Sequence, residues 1–275
     1  MQWADLGAAS IRYEYRPGPG PLLVLIHELG GSLENWDHVI QALESDCAVL
    51  RYDTRGAGLS EKITAPISMA HCADDIAALV DHLGYTGPLV VAGCAVGAGI
   101  ALRFAIDYPD MASAVVAINP AIDVTPISGA ALEQMADQLP VDGVRALEGA
   151  ALGKPYPDRF RDRDPDRFAD FRARWLSNDP VSLGWLCRML ANTDLRPKLP
   201  TIECPVTLVS GLHDTLRPPA YVREIAALID QASLVEIDAG HHAPDHAPEA
   251  LAQSLQATIS ELNDGQTGYQ RRANR

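Results

Sequence analysis

The sequence predicts an α/β protein built on a mostly parallel, doubly wound sheet with a helical segment inserted into it. Three observations carry that prediction. Short apolar runs, of the kind that form strands buried on both faces, recur along the chain and are separated by helical patterns. The rhythm stops between Pro120 and Pro200, where the sequence becomes helical and charged. At 275 residues the chain is long enough for one large domain, or a core with an insertion, because single cores stop growing near about 250 residues.

Taken in order, QWADL and SIRYEYR read as an opening hairpin, and PLLVLIH, CAVLRYD, PLVVAG, SAVVAIN, CPVTLVSG and ASLVEID as parallel strands. Helical periodicity places helices near 33–43, 70–83, 96–108, 220–230 and 246–262. The chain thus divides into a core of residues 1–120 and 200–265, a helical lid over 121–199 and a polar tail over 266–275 whose composition favours disorder. The lid is read from EQMADQLPVDGVRALEGAALG and DRFADFRARWLSN. It leaves the core just after a strand's carboxyl end, where open α/β sheets place their ligands, so it is expected to cover the site.

Composition narrows the partners. With 47% hydrophobic and 21% charged residues, and no apolar run near the ~20 residues of a membrane span, the chain reads as soluble and globular. MQWADLGAAS lacks the basic-then-apolar pattern of a signal peptide. The five cysteines, Cys47, Cys72, Cys94, Cys187 and Cys204, are scattered and form no CxxC pair. A reducing cytoplasm fits both features. A formal charge of −14 opposes phosphate backbones and anionic lipid. The expected partner is a small-molecule substrate, with no nucleic acid, membrane or cofactor, and the chain is expected as a monomer or homodimer.

The chemistry is read from three stretches. GCAVG, residues 93–97, has the spacing of the GxSxG elbow, in which glycines let a nucleophile sit on a strained strand-to-helix turn, but Ala95 stands at the nucleophile position. Taken alone, this is equally a glycine-rich helix start packed on a strand. GLHDTLRPP places Asp214 in a loop after one strand, and DAGHHAPDHAPE places His241 in the loop after the last. Singly these are a turn aspartate and a loop histidine. Their order after the elbow predicts a His–Asp pair in which Asp214 orients the imidazole and the outer nitrogen moves protons. In LIHELGG, Gly30 and Gly31 permit the tight turn that would aim the Leu29 N–H at a developing oxyanion, with the Val96 N–H as the second donor.

With these pieces in place the chain resembles the α/β-hydrolase superfamily, and more narrowly the 3-oxoadipate enol-lactonases and their meta-cleavage hydrolase relatives. The resemblance covers residues 20–120 and 200–262 and rests on LIHELGGSLENWD, LRYDTRGAGLSE, GCAVGAGIALRFAIDYP, GLHDTLRPP and AGHHAPDHAPE. It implies the α/β-hydrolase fold with a helical lid and a small carbonyl substrate such as an ester, enol-lactone or β-dicarbonyl. Two positions depart from the pattern. The family has serine at position 95, and its members commonly have glycine where this chain has Glu28. Alanine has no atom with which to attack a carbonyl, so the acyl-enzyme route is lost.

Three explanations follow. Ala95 is a knock-out of an ordinary serine hydrolase; or the chain is a serine-less acid–base catalyst using His241–Asp214 with Glu28; or the fold serves as a non-catalytic ligand receptor or interaction module. The second predicts Glu28 in the pocket facing His241, with a pKa raised by burial so that it donates a proton. Cys94 is rejected as a substitute nucleophile, because the residue before the elbow points elsewhere and a buried thiol is inert. His241, His242, Asp245 and His246 are not read as metal ligands, since Pro244 breaks the helical register between them. Trp175, Trp185 and Met189 are expected to line the pocket, with helical core the blander alternative. The lid arginines Arg159, Arg161, Arg163, Arg167, Arg172 and Arg174 suit carboxylate recognition, but pairing with neighbouring aspartates on a solvated face accounts for them more simply.

Overall fold

The computed structural model describes residues 1–43 and 47–273. Among the described residues eight strands form one sheet: β1 (Gln2–Asp5), β2 (Ser10–Arg16), β3 (Leu22–Ile26), β4 (Ala48–Tyr52), β5 (Leu89–Cys94), β6 (Ala112–Ile118), β7 (Val206–Gly211) and β8 (Ala232–Ile237). Their spatial order is β1-β2-β4-β3-β5-β6-β7-β8. β2 runs antiparallel to β1 and β4, and every other pairing is parallel. The chain is therefore an α/β protein with the doubly wound, mostly parallel sheet that its apolar rhythm predicts.

The central strands read as unbroken apolar runs because helices cover both faces. All residues of β3, β4 and β5 are buried. Alternate side chains divide between the two layers: Leu22, Val24 and Ile26 join the core on one face, and Leu23 and Leu25 that on the other. The helices outside the β6–β7 connection are α1 (Asp37–Ala42), α2 (Met69–His82), α3 (Val96–Asp107), α9 (Pro219–Ala226), α10 (Ala243–His246) and α11 (Pro248–Ala273). Ser68 caps α2 by accepting the His71 N–H, the role short hydroxyl side chains take at orphaned helix starts. The last helix takes in most of the segment read as a polar tail, and Asn274 and Arg275 lie outside the described residues.

Between β6 and β7 the chain leaves the sheet for α4 (Pro126–Asp142), α5 (Glu148–Leu152), α6 (Asp158–Arg163), α7 (Pro165–Leu176) and α8 (Pro180–Ala191). Their inward faces form a third apolar cluster that includes Leu139, Tyr156, Phe160, Phe171, Trp175 and Leu183. Two helices of this segment are N-capped by an aspartate ahead of proline: Asp164 accepts the Arg167 N–H, and Asp179 accepts the Ser182 N–H. No helix among the described residues is long and apolar enough to cross a membrane.

Candidate active site

The site is built where β5 turns into α3. Ala95 occupies that turn at φ 51° and ψ −111°, a region alanine rarely enters. The chain can pass so tightly only because Gly93 and Gly97, two residues to either side, carry no side chain. A Cβ on Gly93 would lie 2.2 Å from the Gly97 carbonyl carbon, and one on Gly97 would lie 2.3 Å from the Ile26 oxygen. The Ala95 N–H donates to the Ile118 oxygen at 2.8 Å, and its carbonyl accepts from Gly99 and Ala121. Val96 follows as the first residue of α3, where an N–H has no carbonyl within the helix to bond.

His241 and Asp214 meet across the end of the sheet. His241 Nδ1 lies 2.8 Å from Asp214 Oδ2, while Oδ1 accepts the Leu216 and Arg217 N–H groups at 2.7 and 2.9 Å. Burial acts to raise the Asp214 pKa, but the His241 charge, its hydrogen bond and the two amides outweigh it and hold the carboxyl below its ordinary value. The histidine bonded to Asp214 is His241, while His242 turns its Nδ1 to Glu28.

Asn119, which sequence reasoning missed, ties the pieces together. Fully buried at the end of β6 with φ 45°, it donates through Nδ2 to the Gly240 and His241 carbonyls at 3.1 and 3.2 Å. Its Oδ1 accepts the Gly211 N–H at 2.7 Å. One side chain thus joins the strand that leads to Asp214 with the loop that carries His241. The available signal was an Asn-Pro pair at a strand end, which reads as an ordinary turn.

A cavity of about 350 Å³ lies over the elbow, lined by Glu28, Leu29, Ala95, Val96, His241 and His242 on the core side. Trp175, Leu183, Cys187 and Leu190 line it from α7 and α8, and Leu132 and Met135 from α4. Two expected lining residues fall elsewhere. Trp185 is half-buried under the Arg188 guanidinium, and Met189 is buried in the core with its sulfur 3.9 Å from Cys72. The cavity face of α8 is set by Leu183, Cys187 and Leu190, a spacing of four and three residues that turns Trp185 and Met189 away.

Glu28 corrects a second expectation. It lies in the cavity wall, 3% exposed, but its partners are Asn35 and His242 rather than His241. Oε1 accepts from Asn35 Nδ2 at 2.7 Å and meets His242 Nδ1 at 3.3 Å. Burial works to raise its pKa, as expected, yet the bond to His242 and that ring's charge carry it down to about 2. Glu28 is therefore ionised at neutral pH and holds no proton to donate. Cys94 is no nucleophile: its thiol donates to the His241 carbonyl at 3.6 Å, and burial, with the Glu28 and Asp214 charges, pushes its pKa well up.

None of the six lid arginines lines the cavity. Arg159 pairs with Asp238, Arg172 with Glu148, Arg161 with Asp158 and Arg167 with Asp164, and Arg163 donates to the His246 carbonyl. The guanidinium that reaches the cavity wall belongs to Arg217, bonded to the Leu216 and Asp123 carbonyls. Among the described residues no group of three or more His, Cys, Asp or Glu side chains is arranged to hold a metal ion.

The sequence model of the alpha/beta hydrolase fold matches residues 21–248, most of the chain. The chain belongs to the α/β-hydrolase family. Among its α/β-hydrolase relatives, 3-oxoadipate enol-lactonase 2 of Acinetobacter baylyi is 24% identical over 243 residues, 88% of this chain and 90% of that one. The magnesium-chelatase 30 kDa subunit of Rhodobacter capsulatus is 30% identical over 256 residues, covering 86% of each. The crystal structure of the enol-lactonase from Burkholderia xenovorans LB400 superposes with a TM-score of 0.85 at 27% identity, over 96% of this chain and all of that one. Membership in this family makes the chain a hydrolase by class, with an elbow that departs from the family pattern at Ala95.

Proposed function

We propose that this chain hydrolyses a small ester or lactone by activating water directly, with His241 as the base, Asp214 as its orienting partner and the Leu29 and Val96 amides as the oxyanion donors. The observation that carries the reading is the elbow itself. Alanine is held at φ 51°, a conformation that costs on the order of 1–3 kcal/mol and persists where the surrounding structure imposes it. Around it stand the bonded His241–Asp214 pair and a cavity lined by both expected oxyanion residues.

The chemistry balances without serine. A water oxygen bonds to the substrate's carbonyl carbon as its proton passes to His241 Nε2, and the carbonyl electrons move onto oxygen beside the two amides. Collapse of that adduct breaks the bond to the leaving oxygen, which takes the proton back from His241. Asp214 keeps Nδ1 engaged, so the outer nitrogen is the one that moves protons. The helices between β6 and β7 serve as the lid that excludes bulk water from this step.

The experiment is Ala95→Ser. If the base, the oxyanion donors and the cavity are in working order, the variant gains at least about a hundredfold in rate on small esters and is labelled by a fluorophosphonate. No labelling and no gain would count against the reading. A second reading, a ligand receptor on the same fold, is favoured by the missing nucleophile together with a 30% identical relative named as a chelatase subunit. It predicts tight binding of small carbonyl compounds and no product from the native chain.

A further inference from the structure

The Glu28–His242 pair shares the cavity wall with the hydrolytic groups but has no part in the proposed hydrolysis. Its free atoms point to what it does. Glu28 Oε1 is occupied by Asn35 Nδ2 and His242 Nδ1, whereas Oε2 has no hydrogen-bond partner among the described residues although it is buried. His242 Nε2 is likewise buried without a partner. The two side chains are 3% and 5% exposed, and both line the cavity. A carboxylate oxygen removed from water and left without a donor is costly to keep, and none of the hydroxyl or guanidinium side chains that also line the cavity, Ser128, Thr215 and Arg217, is bonded to it.

We propose that Glu28 Oε2 is a specificity site for a hydroxyl or N–H group that the substrate carries next to its reacting carbonyl. The proposal rests on the hydrolase reading for which bond is cut and adds what the substrate must carry beside it. Glu28 precedes Leu29 directly, and successive Cα atoms stand about 3.8 Å apart, so the carboxylate and the oxyanion amide serve groups that are close together on one small molecule. An ester or lactone with an α- or β-hydroxyl or amino group meets that requirement. A second carboxylate at this spot does not, because its charge would be repelled by that of the buried Glu28. A site built around such acceptors rejects analogues that lack the donor, because the buried polar atoms are then left unpaired.

The test uses binding of ketones, which are not hydrolysed, to the full-length native chain. Acetophenone and 2-hydroxyacetophenone differ only in the hydroxyl next to the carbonyl, and their affinities are read by calorimetry or by quenching of tryptophan fluorescence. The hydroxy compound is expected to bind roughly tenfold to a hundredfold more tightly, the worth of a hydrogen bond to a buried charge. In Glu28→Met, which keeps the side-chain length but has no oxygen acceptor, the ratio should fall to about one. Equal affinities in the native chain overturn the proposal, and this arm needs no variant to fold. A preference that survives in folded Glu28→Met also overturns it, by assigning the selectivity to another group. Ester hydrolysis is measured separately. A hydroxyl preference without hydrolysis leaves this proposal standing and removes the hydrolase reading, whereas hydrolysis without the preference does the reverse.

Discussion

Ala95 holds a backbone conformation that glycine enters freely and alanine does not, so Ala95→Gly should stabilise the protein by about 1 kcal/mol despite the looser unfolded chain. A higher urea midpoint at unchanged slope is the expected result. Asn119→Ala should act in the opposite direction. It leaves the Gly240 and His241 carbonyls and the Gly211 N–H without their buried partner, a loss of roughly 1–3 kcal/mol each at most, and frees the loop that holds His241. The expected outcome is a drop in kcat with a smaller change in KM, together with a lower unfolding midpoint. The residues around Ala95 show why some roles were legible and others were not. The glycine spacing and the order of Asp214 and His241 are properties of the chain and can be read from it. The state of Glu28 depends on His242, 214 positions away, and on Asn35 across a turn. Burial alone argues for a raised pKa, and only the packed structure supplies the His242 bond and charge that reverse it.

At the scale of elements, the helices between β6 and β7 are fastened to the histidine loop through Tyr156. Its hydroxyl donates to Asp245, and its ring meets His246 edge-on with centroids 4.3 Å apart. Burial raises the Asp245 pKa, and the Tyr156 bond works against that rise. Tyr156→Phe should cost roughly 1–3 kcal/mol in stability by leaving the Asp245 oxygen unpaired, and should raise KM more than it lowers kcat, because the cavity's upper wall loses an anchor. An unchanged KM would show that this contact does not hold the wall. The eight strands were legible because an unbroken apolar run has few other uses in a protein of this size. The cavity face of α8 was not, since Leu183, Trp185, Met189 and Leu190 are all large and apolar, and composition does not say which side of a helix meets the cavity.

For the whole molecule the consequence is acid sensitivity. Burial holds the His246 pKa down to about 2, with the His242 and Arg163 charges acting in the same direction, so the folded protein keeps this ring neutral. The unfolded chain protonates it near pH 6.5. A depressed pKa gives stability that is complete above pH 6.5 and is lost as the pH falls towards 2, at a slope of roughly 1.4 kcal/mol per pH unit. Glu28 adds a second loss of the same sign, which begins only near pH 4.5 and runs towards 2. Urea midpoints should therefore fall between pH 6.5 and 5, and His246→Gln, which can still accept the Gly240 N–H, should flatten that fall by roughly 2 kcal/mol. An identical slope in the variant would place the titrating group elsewhere.

Without the elbow serine, hydrolysis by this chain as proposed runs through His241. The most direct measurement is the steady-state rate of the native chain against His241→Ala on a panel of small esters and lactones bearing an adjacent hydroxyl, followed from the first turnover. Direct attack by water gives linear progress with no initial burst, since no acyl group is parked on the protein, and a loss of roughly two to four powers of ten in kcat/KM is expected for His241→Ala. Equal rates in the two proteins, or no product from the native chain with any member of the panel, would contradict it.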